Sequence, residues 1–257
     1  RARWLRLPRE QRKPLELELW QALRADMQTN QLVYYRPVNA DAPRLHASTA
    51  RLCAISGGNK SGKTGEMLIE AAILMTGVIP DSLRGIYPES KLIHGPARVR
   101  LEVTTINAWD VNLKHKLQWF HWNGRMNEHR LAGDPRLGHW GWIPQRFLIR
   151  GDWDQSWNAK TKVLTLQHPE TNEPWSTMQV MTHEQETKEH NQGAFHLVVE
   201  DEIPPEDRHR ANLIRAMEYD GRVLTGGTPP DDRSAAIGAA WFFDELMAPG
   251  LEGSNPD

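Results

Sequence analysis

The chain has 257 residues, 39% of them hydrophobic, with 31 lysines and arginines set against 33 aspartates and glutamates for a formal net charge of −2. That is enough apolar material for one sizeable α/β core, with room for a small appendage, and the near-neutral balance excludes a protein coated in basic surface, so any contact with nucleic acid has to come from a local patch. The lone cysteine, Cys53, excludes an intramolecular disulfide and a cysteine-built zinc site and suits a reducing compartment; no uninterrupted apolar run approaches the roughly 18 residues of a membrane span, and an N-terminus this basic, broken by Pro8 and Pro14, does not fit a signal peptide.

Residues 1–13 carry Arg1, Arg3, Arg6, Arg9, Arg12 and Lys13 against Glu10 alone, a positive cluster suited to phosphate or an acidic partner and equally to a solvated arm. Residues 14–25 read as a helix with Leu15, Leu17, Leu19, Trp20 and Leu23 available for packing. Residues 31–48 read as an irregular lead-in. The organisation expected is therefore an N-terminal arm, helix and lead-in over 1–48, a core over 49–247, and a linker over 248–257. An opening on Arg1 and a close in Gly, Ser, Asn and Pro read as a piece cut from a longer chain.

The core begins with a short apolar run at 51–56, a predicted buried strand, which opens directly into Gly57-Gly58-Asn59-Lys60-Ser61-Gly62-Lys63-Thr64. This stretch fits the phosphate-loop template Gly-x-x-x-x-Gly-Lys-Ser/Thr at all four fixed positions. Glycines let successive backbone N–H groups wrap an anion, and a helix starting at the loop adds its positive end. The helix is predicted after Thr64, with Met67, Leu68, Ala71, Ala72, Leu74 and Met75 at helical spacing and Gly77 as its stop. In that template Lys63 reaches the β and γ phosphates of a nucleotide and the Thr64 hydroxyl binds Mg²⁺.

Residues 80–96 form a proline-punctuated connection, and 99–105 alternate as a second strand. Between Trp109 and Trp157 lie seven of the eleven tryptophans, interleaved with His115, His121, His129 and His139. Aromatics among basic residues can stack on single strands, but tryptophans are foremost core fillers, and no histidine pair here keeps metal-ligand company. Residues 162–167 and 175–182 read as two strands joined by a turn-rich segment.

The second informative stretch is Phe195-His196-Leu197-Val198-Val199-Glu200-Asp201-Glu202, an apolar strand ending in acids that resembles the Walker B pattern found downstream of phosphate loops. In that pattern Asp201 holds Mg²⁺ through water and Glu202 polarises the attacking water. Glu200 occupies a position that is normally apolar. Its carboxylate is either a surface group at the strand end or an additional acid behind the metal ligand. Residues 206–219 read as a helix with Leu213, Ile214 and Met217 inward, and 222–225 as a strand stopping at Gly226-Gly227-Thr228-Pro229-Pro230. At such a strand end Thr228 can sense the γ phosphate or simply turn the chain before proline.

The loop resembles the Gly-Gly-Asn-Arg-Ser-Gly-Lys-Thr form found in the ATPase domain of the large terminase subunit of tailed bacteriophages. Further elements follow in that family's order: Leu45-His46-Ala47-Ser48 upstream, Trp142-Ile143-Pro144, a hairpin, Gln192-Gly193, Asp201-Glu202-Ile203-Pro204, and Thr228-Pro229. The resemblance covers residues 44–230. It implies a P-loop NTPase fold of the RecA-like type, a central, mostly parallel sheet flanked by helices on both faces. It also implies an Mg²⁺-dependent ATPase that assembles as a homo-oligomeric ring, usually of five, and pumps double-stranded DNA into a procapsid, working in the host cytoplasm and at the portal vertex with the portal protein and the small terminase subunit. Nucleotide contacts are expected from Gly57, Gly58, Asn59, Lys60, Ser61, Gly62, Lys63, Thr64 and Thr228, Mg²⁺ ligation from Thr64 and Asp201, and catalysis from Lys63 and Glu202. Lys60 stands where the family often has an arginine, keeping the charge and losing the bidentate fork. The resemblance also implies an arginine finger supplied by a neighbouring subunit, for which Arg146 is the first choice and Arg150 the second. The family's nuclease half has no counterpart in these residues. The alternatives are a helicase-like translocase on the same core, or a nucleotide-binding switch with little turnover.

Overall fold

The computed structural model describes residues 8–58, 60–121, 138–186, 188, 192–229 and 238–248. Its centre is a seven-stranded sheet in the order β1-β9-β8-β2-β7-β6-β5. The strands are β1 Leu52–Ser56, β2 Arg98–Val103, β5 Trp157–Asn158, β6 Val163–Gln167, β7 Pro174–Thr182, β8 Leu197–Asp201 and β9 Arg222–Gly227. β1, β9, β8, β2 and β7 run parallel, and β6 and β5 extend the sheet antiparallel as a hairpin edge. A separate pair, β3 Trp119–His121 and β4 Gly138–Trp140, is antiparallel. This is an α/β fold of the P-loop NTPase type, with helices on both faces of a mostly parallel sheet.

The two faces can be read from β8. Leu197 and Val199 join the main core with the helix α3 Lys63–Thr76, whereas Val198 joins a smaller cluster with Ala216 of α7 Glu206–Met217. Every residue of α3 from Glu66 to Met75 is buried, as expected of a helix that is apolar nearly all round. Each fully buried Leu, Ile or Met contributes on the order of 1.5–3 kcal/mol, so α3 is the anchor of the core. It ends as its sequence predicts: Gly77 takes φ 70°, and its N–H donates to Ile73 O at 2.8 Å.

Three expectations need correction. The N-terminal helix, α1 Arg9–Thr29, is longer than residues 14–25 and carries Pro14 within its first turns. Its Leu15, Leu17, Leu19 and Trp20 are exposed, Trp20 to 68%, so they do not pack into this core. The lead-in is not irregular throughout: it holds a 3₁₀ turn, Gln31–Tyr34, and the helix α2 Ala42–Ala47. In α7 the inward side chains are His209, Ala211, Asn212 and Ala216, and Leu213 packs half-buried against the same cluster as expected, while Ile214 and Met217 face outward, Met217 to 74%. The helix presents polar groups to the sheet because β8 and β2 meet it with charges, as described below. Trp109, Trp140 and Trp153, the last on the short helix α6 Trp153–Ser156, are buried core fillers, and Trp142 and Trp157 pack partly buried against the same core. Trp122 and His129 lie outside the described residues, as do Arg1, Arg3 and Arg6 of the basic arm. Among the described residues no helix is long and apolar enough to cross a membrane.

Candidate active site

Strand order brings the site together. β9 lies between β1 and β8, so Ser56 stands beside Gly227 and Gly226 beside Asp201. The loop leaves β1 at this edge, and its first N–H, on Gly57, donates to Gly227 O at 3.2 Å. The loop then turns back: Ser61 N–H donates to Gly58 O at 3.3 Å, with Lys60 at φ 65° and Gly62 at φ 96°. Gly62 is needed on two counts. Its φ suits glycine alone, and a Cβ there would come within 2.3 Å of Val38 Cγ2. The lead-in segment thus lies directly on the loop, with Asn39 Nδ2 donating to Ser61 O at 3.1 Å. Lys60 is exposed, and Asn59 lies outside the described residues.

Lys63 opens α3 and folds back over the loop. Its ammonium donates to Gly57 O at 2.5 Å, Gly58 O at 3.2 Å and Thr228 Oγ1 at 3.2 Å. Thr228 in turn meets Glu202: its N–H donates to Oε2 at 3.2 Å and its hydroxyl approaches Oε1 at 3.5 Å. Glu202 follows β8 in a left-handed conformation, φ 75°, an unusual backbone state for a non-glycine residue and one that concentrates at functional sites. Thr64 Oγ1 donates to Asp201 Oδ1 at 2.6 Å. Burial pushes the Asp201 carboxyl above the usual carboxylate range; the Thr64 hydrogen bond lowers it, Glu202 raises it further, and Lys116 and Lys63 pull it down.

These residues suit a magnesium-bound nucleotide on their own chemistry. Ser61 Oγ is buried inside the turn with no hydrogen-bond partner among the described residues, and such a group has a natural partner in an anion held by the loop. Among the described residues the Lys63 ammonium has neutral oxygens around it and no carboxylate at ion-pair distance. No three His, Cys, Asp or Glu among the described residues gather into a metal cage. One carboxylate and one hydroxyl, with phosphate and water completing the shell, is the manner in which Mg²⁺ is usually held.

Two buried polar networks support the site from opposite faces of the sheet. On the α3 face, His46 lies between Glu70 (Nδ1 to Oε1, 2.7 Å) and Glu66 (Nε2 to Oε2, 3.0 Å), the Tyr35 hydroxyl donates to Glu66, and Val38 N–H donates to Glu66 Oε1 at 3.1 Å. Lys91 and Arg222 complete the set around Glu70, at 2.9 and 3.0 Å. Together these contacts pin the lead-in to the helix that carries Lys63 and Thr64. On the α7 face, Glu200 is fully buried. It accepts from Thr225 Oγ1 at 2.6 Å and from Asn212 Nδ2 at 2.8 Å, and it meets His209 Nδ1 at 2.8 Å. Asn212 also donates to Glu102 and accepts from Arg100 Nη1 at 3.0 Å. Of the two readings of Glu200, the surface group is therefore excluded: this acid lies behind Asp201 and ties β8 to β9 and α7.

Arg146 donates to Asn30 Oδ1 at 2.9 Å and lies 4.9 Å from the Phe147 ring, so within one chain it belongs to the α1 end of the molecule. Arg150 takes φ 56°, and its N–H donates to Gln167 Oε1 at 3.1 Å. Sequence reasoning does not single out Lys116, a second lysine besides Lys63 whose charge pulls the Asp201 carboxyl down. A lysine in a run of Lys114-His115-Lys116 carries no spacing signal that would single it out.

No protein-family model matches the chain, and no curated protein matches it either. Among solved structures it is similar to the large terminase of a thermophilic bacteriophage, with a TM-score of 0.50 and 11% sequence identity over 90% of this chain. The chain spans 43% of that terminase's length. At this identity the likeness is one of fold: the chain has a terminase-like fold.

Proposed function

We propose that this chain is an ATP-hydrolysing motor domain of a large terminase, driving double-stranded DNA into a procapsid. The observation that carries the reading is the meeting of the loop and the acidic strand, where Thr64 bonds Asp201 while Lys63 and Glu202 share Thr228. A terminase-like fold supports it.

In this reading the loop amides and Lys63 bind the phosphates, and Thr64 and Asp201 would hold Mg²⁺, whose charge polarises the transferred phosphoryl group. Lys63 exchanges its carbonyl partners for phosphate oxygen, a charge-assisted and stronger contact. Glu202 orients and polarises the attacking water from its carboxylate. Thr228, bonded to both Lys63 and Glu202, registers whether the terminal phosphate is present. Contacts from Gly57, Gly58, Asn59, Lys60, Ser61 and Gly62 position the nucleotide, and Arg146, or Arg150 in its place, completes the site of the neighbouring subunit in a ring. Double-stranded DNA, the portal protein and the small terminase subunit are the partners this function requires.

The test is Mg²⁺-dependent phosphate release by the chain, at concentrations that favour assembly, beside its Glu202→Gln variant. Release by the native chain well above the variant is expected; equal rates would sink the ATPase reading.

A further inference from the structure

β8 and β9 pair so that Glu200 stands level with Thr225, and Asp201 with Gly226. Beyond that last pair lie Glu202 and Thr228, which meet at 3.2 Å without belonging to the ladder. Their meeting therefore depends on how the two strand ends are held just before them.

On β9 the approach to Thr228 is Thr225-Gly226-Gly227. Glycine has no side chain to pack and the freest backbone, so Thr225 is the last side chain that can fasten β9 before Thr228. Gly226 is required by a close approach, since a Cβ there would lie 2.4 Å from Met67 Cε of α3. The Thr225 side chain is fully buried, and its hydroxyl donates to Glu200 Oε2 at 2.6 Å.

The anchor it reaches is itself fixed. The main core is packed with apolar side chains from α3 and from the helical run after β2, α4 Ile106–Ala108 and α5 Lys114–Gln118, which contributes Leu117. The α7 face differs at this end of the sheet. Glu200 is held there by Asn212 Nδ2 at 2.8 Å and by His209 Nδ1 at 2.8 Å. Asn212 is in turn bonded to Arg100 Nη1 at 3.0 Å and to Glu102, which stands level with Glu200 on β2. The His209 ring lies 4.5 Å from that of Trp241. A carboxylate with no exposure is costly to desolvate, and Val198, two residues earlier on the same face of β8, shows that an apolar side chain fits there. What a carboxylate adds is acceptor capacity on both oxygens, enough to tie β9 and α7 to one point.

We infer that Glu200 and Thr225 are positioning residues for hydrolysis: their bond sets the ends of β8 and β9 so that Glu202 and Thr228 meet. Neither touches the nucleotide, because both are buried on the α7 side while Asp201 faces Thr64 of α3. The inference rests on the nucleotide-hydrolysing reading above.

Thr225→Val keeps the shape and removes the bond. Its steady-state phosphate release with Mg²⁺ and ATP, its binding of a non-hydrolysable ATP analogue and its thermal midpoint are to be compared with those of the native chain. The expected result is a kcat about tenfold lower, the cost of a modest misplacement of reacting groups, with analogue affinity within about twofold of native, the mark of a contact that matters in the transition state. Thr225→Ser, which restores the hydroxyl, should recover most of the rate. A kcat for Thr225→Val within about twofold of native, whatever its thermal midpoint, would show a structural role alone and overturn the inference. A fall in analogue affinity equal to the fall in rate would mark general loosening of the site and overturn it as well. In a Glu200→Gln background Thr225→Val should cost less than in the native chain, because the two changes act on one bond; an equal cost would separate the hydroxyl from the carboxylate and refute their joint role. A native chain that neither binds the analogue nor releases phosphate would instead remove the reading beneath the inference, and the inference with it.

Discussion

Thr64 and Asp201 are 137 positions apart in the chain and share a hydrogen bond of 2.6 Å. The contact exists because β9, the last strand of the core, is inserted between β1 and β8. It also sets a conflict between stability and function. Burial raises the Asp201 pKa in the folded protein, so its contribution to stability is full below the ordinary carboxylate pKa and is lost as pH rises through the folded value. At neutral pH the ionised side chain therefore costs stability.

Asp201→Asn is accordingly expected to raise the thermal midpoint of the nucleotide-free chain at pH 7 by a few degrees, given about 2–4 °C per kcal/mol for a chain of this size. The advantage over the native chain should shrink as pH falls through the raised pKa. The same variant should lose Mg²⁺-dependent nucleotide binding, measured by calorimetry. A lower midpoint with Mg²⁺-dependent binding intact would refute the assignment of Asp201.

Glu202 and Lys63 are joined through Thr228 yet are expected to fail differently. Glu202→Gln keeps the shape and one acceptor, so nucleotide affinity should stay within a few-fold while turnover falls by about 10²–10⁴, the usual worth of a general base. Lys63→Ala removes charge from bound phosphate in ground and transition states alike, so both affinity and turnover should fall. Thr228→Val, which cuts the link between them, should lower kcat more than it changes KM. Steady-state kinetics with a fluorescent nucleotide separates the three, and undiminished hydrolysis by Glu202→Gln would remove this residue from the mechanism.

The parts of the site that were legible from sequence are those whose chemistry demands a fixed residue order. The phosphate loop and the start of α3 could be read because backbone wrapping, the helix N-terminus and the lysine must follow one another along the chain. The acidic end of β8 could be read because an apolar strand running into Glu200-Asp201-Glu202 follows a matched phosphate loop in the chain. What could not be read depends on strands and helices meeting across space. Glu200 broke the apolar pattern, and only the arrival of Thr225, His209 and Asn212 around it explains why a carboxylate is tolerated there. The inward face of α7 is read only in part for the same reason: of Leu213, Ile214 and Met217, which the sequence offers, Leu213 packs inward, but the sheet opposite presents Arg100, Glu102 and Glu200, and Asn212 meets them. Likewise Leu15, Leu17 and Leu19 alternate with glutamates on α1, and a helix with apolar residues at spacing two cannot turn them all toward one surface.

Gly62→Ala tests how tightly the lead-in is fitted to the loop. The substitution forces a Cβ into a backbone at φ 96° and against Val38, so nucleotide binding should fall sharply and the fold should lose on the order of 1–3 kcal/mol. Adding Val38→Ala removes the steric contact and leaves the backbone strain, so the double variant should regain only part of the stability. Full recovery in urea unfolding would show that the contact alone, and not the left-handed turn, requires glycine.

Glu70 meets His46, Lys91 and Arg222 in the core, and its removal should be strongly destabilising. Burial by itself would raise its pKa, but the His46 hydrogen bond and the charges of Lys91 and Arg222 outweigh that and hold it below the ordinary value. Its stabilising contribution is therefore present at neutral pH and is lost as pH falls through the depressed pKa. Lys91 is its counterpart: burial lowers it to about 8, and Glu70 is what keeps it from falling further. Glu70→Ala strands Lys91 and Arg222 beside α3 without their acid, and breaking a buried pair from one side costs about 3–5 kcal/mol. Glu70→Gln retains one acceptor oxygen, which Lys91 and Arg222 can share as they share Oε2, and should cost less. Because it has no charge to lose, its stability should also fall less than that of the native chain between pH 7 and acid. Urea unfolding of the three proteins at neutral and acidic pH measures both effects. If Glu70→Ala unfolded within about 1 kcal/mol of the native chain, the range of an exposed surface pair, the network would not be what ties the lead-in and β9 to the helix behind the phosphate loop.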